Sequence, residues 1–301
     1  MSTTRTALIV GGGVAGPVAA TALRMAGIEA TVHEAYPGPA YNIGNTLGFA
    51  ANGLAALDVI GAGDALRKVA VPMPNMAMAF GHKTVEMPGV TGVEPLQLVD
   101  RSDLHRVLHD HAVAAGIRFE YSKRLVRFEE HPDSVTAHFA DGTSATADVL
   151  IGAGGLHIMP PVPTWYRGRM VLVGDSVHAP SNSTGQGASQ AVESAVQLAR
   201  CLRDFDDPAT AFAAYERIRR PRVERIAARG AKIRATPSTG TPRWTSGPNW
   251  PGPEPIPAGM TAPSSRRDGW ELPRFHRIGY SPASADPRSC VAVLPPELTL
   301  K

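Results

Sequence analysis

The chain has 301 residues, 43% of them hydrophobic, with 30 lysines and arginines against 27 aspartates and glutamates for a formal charge of +3. A chain of that size buries a sizeable core, and cations scattered along it rather than gathered into a stripe argue against a nucleic-acid partner. No apolar run approaches the roughly 18 to 20 residues that cross a bilayer, and the two cysteines, Cys201 and Cys290, are too few for a disulfide framework or a cysteine zinc site, which fits a reducing, cytoplasmic setting.

The opening segment MSTTRTALIV carries one arginine and a short apolar run that meets glycine at once, so it reads as a buried strand rather than a signal peptide. Residues 5–10 predict that strand. After the glycines, small and aliphatic residues from Val14 to Ala26 recur at helical spacing, and Ile28 to His33 predicts a second strand, parallel to the first because a helix connects them. Asn52 to Val59 and Ser102 to Ala115 predict helices, the latter with Leu104, Val107 and Leu108 on one face and Ser102 or Asp103 as a cap near its start. From Ile117 to Ile151 the alternation predicts a strand, a hairpin turning at Asp141-Gly142, and a buried strand in DVLIG. Met170 to Val173 predicts another buried strand and Gly187 to Leu202 a helix of small residues. A last helix runs from about Pro208 to Ala235, its basic residues on the solvated side. Beyond it prolines crowd without a period, so residues 236–301 are expected to form a Pro-rich, mostly irregular tail.

The run Gly11-Gly12-Gly13-Val14-Ala15-Gly16 stands where strand turns into helix. Glycines at that spacing have separate duties: Gly11 makes the tight turn, Gly13 lets the backbone approach a pyrophosphate, and Gly16 lets the helix pack on the strand. The helix N-terminus offers N–H groups and a positive dipole end to phosphates. Glu34 closes the second strand, where a carboxylate accepts hydrogen bonds from ribose hydroxyls and repels a 2'-phosphate. These residues predict a dinucleotide site for NAD or FAD, and they do not choose between the two.

A second motif lies far downstream. In RMVLVGDSVHAPSNSTGQGASQAV a buried strand ends in Gly174-Asp175, a polar loop follows, and Gly185-Gln186-Gly187-Ala188 opens a long helix. With this stretch the chain resembles the class A FAD-dependent flavoprotein monooxygenases, the family of para-hydroxybenzoate hydroxylase. The resemblance implies an α/β, Rossmann-like FAD/NAD(P)-binding fold with a reduced β-rich substrate domain. Residues 1–70 and 99–235 would form the FAD-binding domain, and 71–98 would be the remnant of the substrate domain. It further implies that Asp175 binds a ribityl hydroxyl of FAD and that the N–H groups around Gly185 to Ala188 stabilise negative charge on reduced flavin. Arg101, in LVDRSDLHRVL, occupies the place of a family arginine that contacts FAD near its ribityl-phosphate region.

The implied chemistry is monooxygenation: NADPH or NADH as a transient reductant, oxygen added at the flavin C4a position, and the hydroperoxide hydroxylating a hydrophobic or aromatic small molecule. The protein orients substrate and excludes water, and no side-chain nucleophile or metal is required. Two departures stand out. The family's Asp-Gly motif reads Ala153-Gly154-Gly155, so Gly154 replaces an aspartate that helps couple flavin and nicotinamide binding. Only LHIMPPVPTWYRGRM separates that motif from the Gly-Asp strand, which reads as an internal deletion of substrate-domain sheet; Asn182 also stands where the family usually has proline. The alternatives are a truncated, weakly active or non-catalytic flavin-binding protein, and an NAD-dependent dehydrogenase using the first motif alone.

Other candidates read as structural. His105, His109 and His111 share one predicted helix and are expected on a solvated face rather than around a metal. His178 follows the Gly-Asp pair as a flavin, substrate or loop contact and is left out of the catalytic set. The basic run from Arg217 to Arg234 is expected on the wet side of its helix. Trp244, Trp250 and Trp270 in the tail are candidates to cover apolar surface, and PGPEPIP to form a polyproline II segment.

Overall fold

The computed structural model describes residues 4–41, 45–80, 83–154, 163–178 and 185–235. The tail, its tryptophans and the PGPEPIP segment lie outside the described residues, as does Asn182. In chain order the first half holds β1 (Thr6–Val10), α1 (Ala15–Met25), β2 (Glu29–His33), β3 (Thr46–Phe49), α2 (Ala51–Val59), α3 (Gly63–Val69), β4 (Val71–Met73), β5 (Asn75–Phe80), β6 (Lys83–Pro88), β7 (Leu96–Asp100) and α4 (Arg101–Ala114). The second half holds β8 (Arg118–Glu120), β9 (Leu125–Glu130), β10 (Val135–Phe139), β11 (Ser144–Ala147), β12 (Val149–Gly152), β13 (Tyr166–Arg167), β14 (Met170–Leu172), a 3-10 turn at Gly174–Ser176, α5 (Gly187–Asp204) and α6 (Pro208–Ala235).

Six strands form the central sheet in the order β13-β14-β12-β1-β2-β8. Neighbours are parallel from β14 to β8, and only β13 runs antiparallel. The expected β1–α1–β2 unit is present, paired from Thr6 opposite Glu29 to Val10 opposite His33. Side chains on a strand alternate between faces, and here the two faces meet different layers. Ile9, Ile151 and Val171 point into the main core with Val18 and Leu23 of α1 and Val192 and Ala195 of α5. Leu8, Leu150 and Met170 point the other way, onto Val135, Ala137 and Phe139 of the three-stranded β9–β10–β11 sheet. Strands covered on both sides therefore read as unbroken apolar runs, ALI in β1 and VLI in β12.

The predicted hairpin is β10–β11, turning at Asp141-Gly142, where Gly142 has φ +84° and Asp141 Oδ1 accepts from the Thr143 N–H. A second three-stranded sheet, β3-β7-β4, joins residues from both sides of the boundary drawn at 70/71, and β5 pairs with β6 as a two-stranded ribbon. Among the described residues no helix is long and apolar enough to cross a membrane.

Candidate cofactor site

The carboxyl ends of β1, β12 and β14 lie side by side, the edge where open α/β sheets bind their ligands. Each strand end carries one of the motifs. Gly11 leaves β1 with φ +112°, and a Cβ built there would sit 2.5 Å from the Gly154 nitrogen, so only glycine serves this turn. A Cβ on Gly16 would lie 2.0 Å from the Gly11 carbonyl oxygen, which is the close packing of helix on turn that its position predicts. Gly13 differs: nothing stands within 4 Å of a Cβ built on it, so its surface is open. Helix α1 begins beyond Val14 with no side-chain cap, leaving the N–H groups of its first turn, around Ala15 and Gly16, unused by any capping side chain. Beside it Glu34 accepts from the Gly12 N–H at 2.6 Å and from the Tyr36 N–H at 3.0 Å. Each carboxylate oxygen keeps a further lone pair for a hydroxyl.

The second motif packs directly on the first. Gly174 has φ +67°, and a Cβ there would meet Ala15 Cβ at 2.9 Å and Ala191 Cβ at 3.2 Å, so the turn is wedged between the starts of α1 and α5. Ser176 Oγ donates to the Gly152 carbonyl at 2.6 Å, which ties the same turn to β12. Asp175 stands at the apex. The residue is exposed, yet partial burial of its carboxyl pushes the pKa up, and the Arg101 guanidinium opposes the shift. Helix α5 starts at Gly187 beyond Gln186, again without a side-chain cap, and Gly185 and Ala188 at its mouth are partly exposed. The two loops, separated by some hundred and sixty residues, thus share one edge of the sheet.

Arg101 opens α4, with its Nε directed to His105 Nε2 at 3.5 Å. The helix-face expectation for the histidines is corrected here. His105 is buried, and burial with the Arg101 charge pushes its pKa down to about 4. His109 sits between the Tyr41 hydroxyl at 2.6 Å and the Tyr121 hydroxyl at 2.7 Å, and His111 Nε2 bonds the Ile60 carbonyl at 2.7 Å. Each is spent on a protein partner. Among the described residues no group of three His, Cys, Asp or Glu side chains is arranged to hold a metal.

In the basic run of α6, Arg217, Arg225 and Arg229 are exposed as expected, and Arg219 is the exception. Arg219 is only 4% exposed, pairing with buried Glu193 of α5 at 3.1 Å. Glu193 also accepts from Arg222 and from Asn52 of α2, so one buried carboxylate gathers three elements. The signal was present: Arg219 falls on the stripe Phe212, Tyr215, Val223 that α6 buries. A recess of about 410 Å³ lined by Arg24, Gly27, Glu29, Thr31 and Arg118 lies at the opposite, amino-terminal edge of the sheet, away from every one of these motifs.

A parallel α/β sheet whose two uncapped helix starts and two glycine turns meet at one carboxyl edge defines a protein for an extended dinucleotide. The family model for the FAD binding domain matches residues 4–159 and 162–230, through both motifs, and the chain belongs to that family; its cofactor is FAD. The match through the second motif removes the reading of an NAD-dependent dehydrogenase. The chain is 34% identical over 161 residues to 3-amino-4-hydroxybenzoate 2-monooxygenase of Streptomyces cremeus, covering 50% of this chain and 39% of that protein. It is 32% identical over 159 residues to the FAD-dependent urate hydroxylase of Klebsiella pneumoniae, covering 50% and 40%. The match thus spans about two fifths of the length of these relatives. In fold it is similar to the tetrameric form of 2-methyl-3-hydroxypyridine-5-carboxylic acid oxygenase, with TM-score 0.69 and 20% identity over 78% of this chain and 92% of that one. It is also similar to Klebsiella pneumoniae HpxO complexed with FAD and uric acid, with TM-score 0.65 and 21% identity over 77% and 88%.

Proposed function

We propose that the chain is an NAD(P)H-dependent, cytoplasmic flavoprotein monooxygenase acting on an aromatic or other hydrophobic small molecule, with FAD laid along the groove between the two glycine turns. What carries the reading is the wedge of Gly174 against Ala15, which sets Asp175 beside the start of α1. The relatives' names support the substrate class, since one acts on an aminohydroxybenzoate and another on urate.

In this reading the open surface at Gly13 and the first-turn N–H groups of α1, from Val14 and Ala15 on, take the diphosphate, and Glu34 takes the adenosine ribose hydroxyls through its remaining lone pairs. Asp175 accepts from a hydroxyl of the ribityl chain; burial raises its pKa, the Arg101 charge opposes that shift, and Arg101 contacts the neighbouring phosphate region. Gly185, Gln186, Gly187 and Ala188 aim the dipole of α5 at the electron-poor ring, where it favours negative charge. When bound, FAD supplies the redox chemistry, taking electrons from a nicotinamide and delivering them to dioxygen. Residues 71–98 would provide what substrate cover remains.

The experiment is an absorption spectrum of the purified chain after incubation with FAD, then NADPH consumption in air with hydroxylated product and hydrogen peroxide measured separately. A flavin spectrum with product from an aminohydroxybenzoate or urate supports the reading. NADPH oxidation that yields only peroxide supports the weakly active flavin protein suggested by the short segment between Gly154 and Met170, and no flavin binding overturns both.

A further inference from the structure

Helix α6 grips the Gly-Asp turn from behind. Glu216 accepts from the Trp165 N–H at 3.0 Å, and the Tyr215 hydroxyl reaches the Leu172 carbonyl at 3.4 Å, just before the turn. Arg219 sends its Nε–H to Ser194 Oγ at 3.1 Å and its second nitrogen to Gln190 Oε1 at 2.7 Å. An arginine only donates, so the serine oxygen is the acceptor. The same Ser194 Oγ lies 2.9 Å from His178 Nε2, in a site where Ser194 is fully buried and His178 is 6% exposed. His178 in turn closes the turn that carries Asp175, its N–H donating to the Gly174 carbonyl at 2.9 Å.

Resting on the reading that Asp175 binds FAD, we propose that Ser194, oriented by Arg219, is a positioning residue: it fixes the His178 ring and through it the Gly174–His178 turn, so that Asp175 stands at the right height over the groove. Burial and the Arg219 charge keep that imidazole neutral, pushing its pKa down to about 3, so the contact to Ser194 is a neutral hydrogen bond at working pH. The other ring nitrogen, Nδ1, is buried and makes no hydrogen bond to another described residue, so Ser194 Oγ is the side-chain partner that holds the ring. The Trp165 ring packs on it at 5.3 Å. A relay of three side chains thus connects the last described helix to the apex of the cofactor groove.

The test uses the full chain stripped of FAD, with three variants, S194A, D175A and the double S194A/D175A. FAD is titrated by quenching of its fluorescence, and urea unfolding of the apoprotein is the control. S194A is expected to weaken FAD binding about tenfold, and D175A more. The double variant should match D175A within about twofold, because a residue that acts through Asp175 has nothing left to position. Equal weakening by S194A in both backgrounds, or FAD binding by S194A unchanged from wild type, overturns the inference. A second readout needs no cofactor: with Trp244, Trp250 and Trp270 replaced by phenylalanine, Trp165 emission reports its packing on His178, and S194A is expected to shift it. An unshifted spectrum overturns the relay. Arg219→Lys, which keeps the charge beside Glu193 but offers no Nε–H to Ser194, gives the same comparison if S194A fails to fold. A wild-type chain that binds no FAD would instead overturn the reading beneath the proposal, leaving the Trp165 shift to judge the relay alone.

Discussion

Gly174→Ala places one methyl where the two motifs touch. The residue has φ +67°, which costs an L-residue about 1–2 kcal/mol. The added Cβ would lie 2.9 Å from Ala15 Cβ and 3.2 Å from Ala191 Cβ, so α1 and α5 must part by several tenths of an ångström. Overpacking of a tight core contact costs roughly 1–3 kcal/mol more. The total expected loss is about 2–5 kcal/mol of apoprotein stability, read from urea unfolding. Gly142→Ala is the internal control: it has φ +84° at the hairpin turn, with nothing within 4 Å of the new methyl, so it bears the backbone cost alone. The difference between the two variants isolates the wedge. A Gly174→Ala protein no less stable than Gly142→Ala would refute the claim that this contact joins the two halves of the groove.

Gly13→Ala, with open space around its new methyl, is expected to leave urea stability unchanged or slightly improved while weakening FAD binding at least tenfold; Gly16→Ala, 2.0 Å from a carbonyl oxygen, should lose both, and the opposite pattern would misassign the open face. His105 and His178, held down to about 4 and about 3, stay neutral when folded, whereas unfolded histidine titrates near 6.5. Below about pH 6.5 the unfolded chain therefore binds protons that the folded chain refuses, and stability falls with acid, by about 2 kcal/mol per histidine at pH 5. His105→Gln should flatten the urea midpoint between pH 7.5 and pH 5, and an unchanged slope counts against the burial of that ring. Gly154→Asp is expected to fold normally, since its Cβ would find ordinary contacts of 3.5 and 3.6 Å, and to speed anaerobic reduction of bound FAD by NADPH; a variant that unfolds would contradict the space seen there.

The β1–α1–β2 unit was legible because buried parallel strands are continuous apolar runs and the glycines punctuate them. The β10–β11 hairpin was legible from strict alternation around Asp141-Gly142. By contrast β3, TLGF, and β7, LQLVD, are short and pair across about fifty residues, with only Phe49 of the first fully buried, so no local period marks β3. Helix α3 is seven residues with two buried, too short to show a stripe. Within the site, the packing duties of Gly11 and Gly16 were readable because they are set by backbone geometry, whereas Asp175 was singled out only through the family resemblance. Arg219 and Glu193 were not readable, because charge in a helix usually marks the wet side; register with Tyr215 and Val223 betrays Arg219, while Glu193 lies in a stretch of α5, Ser189 to Val196, that is buried on every side.

That division has a consequence for how the protein divides stability from binding. Gly174, Gly16, Ser194 and Arg219 face the main core, which also holds Ile9, Val18, Ile151 and Val192, so a change in any of them is felt by the empty chain. Gly13 faces open space, with nothing within 4 Å of a new Cβ, so a change there is expected to be felt only when FAD is bound, whereas exposed Asp175 still has protein close enough to raise its pKa. Ligand that binds the folded state alone adds RT ln(1 + [L]/Kd), about 2.7 kcal/mol at a hundredfold excess over Kd. Changes at groove-facing positions should therefore remove the stabilisation by added FAD while leaving the unfolding of the stripped chain in place. Changes at core-facing positions lower the starting point from which that stabilisation is measured, because the turn carrying Asp175 is part of the packing that holds α1 against α5.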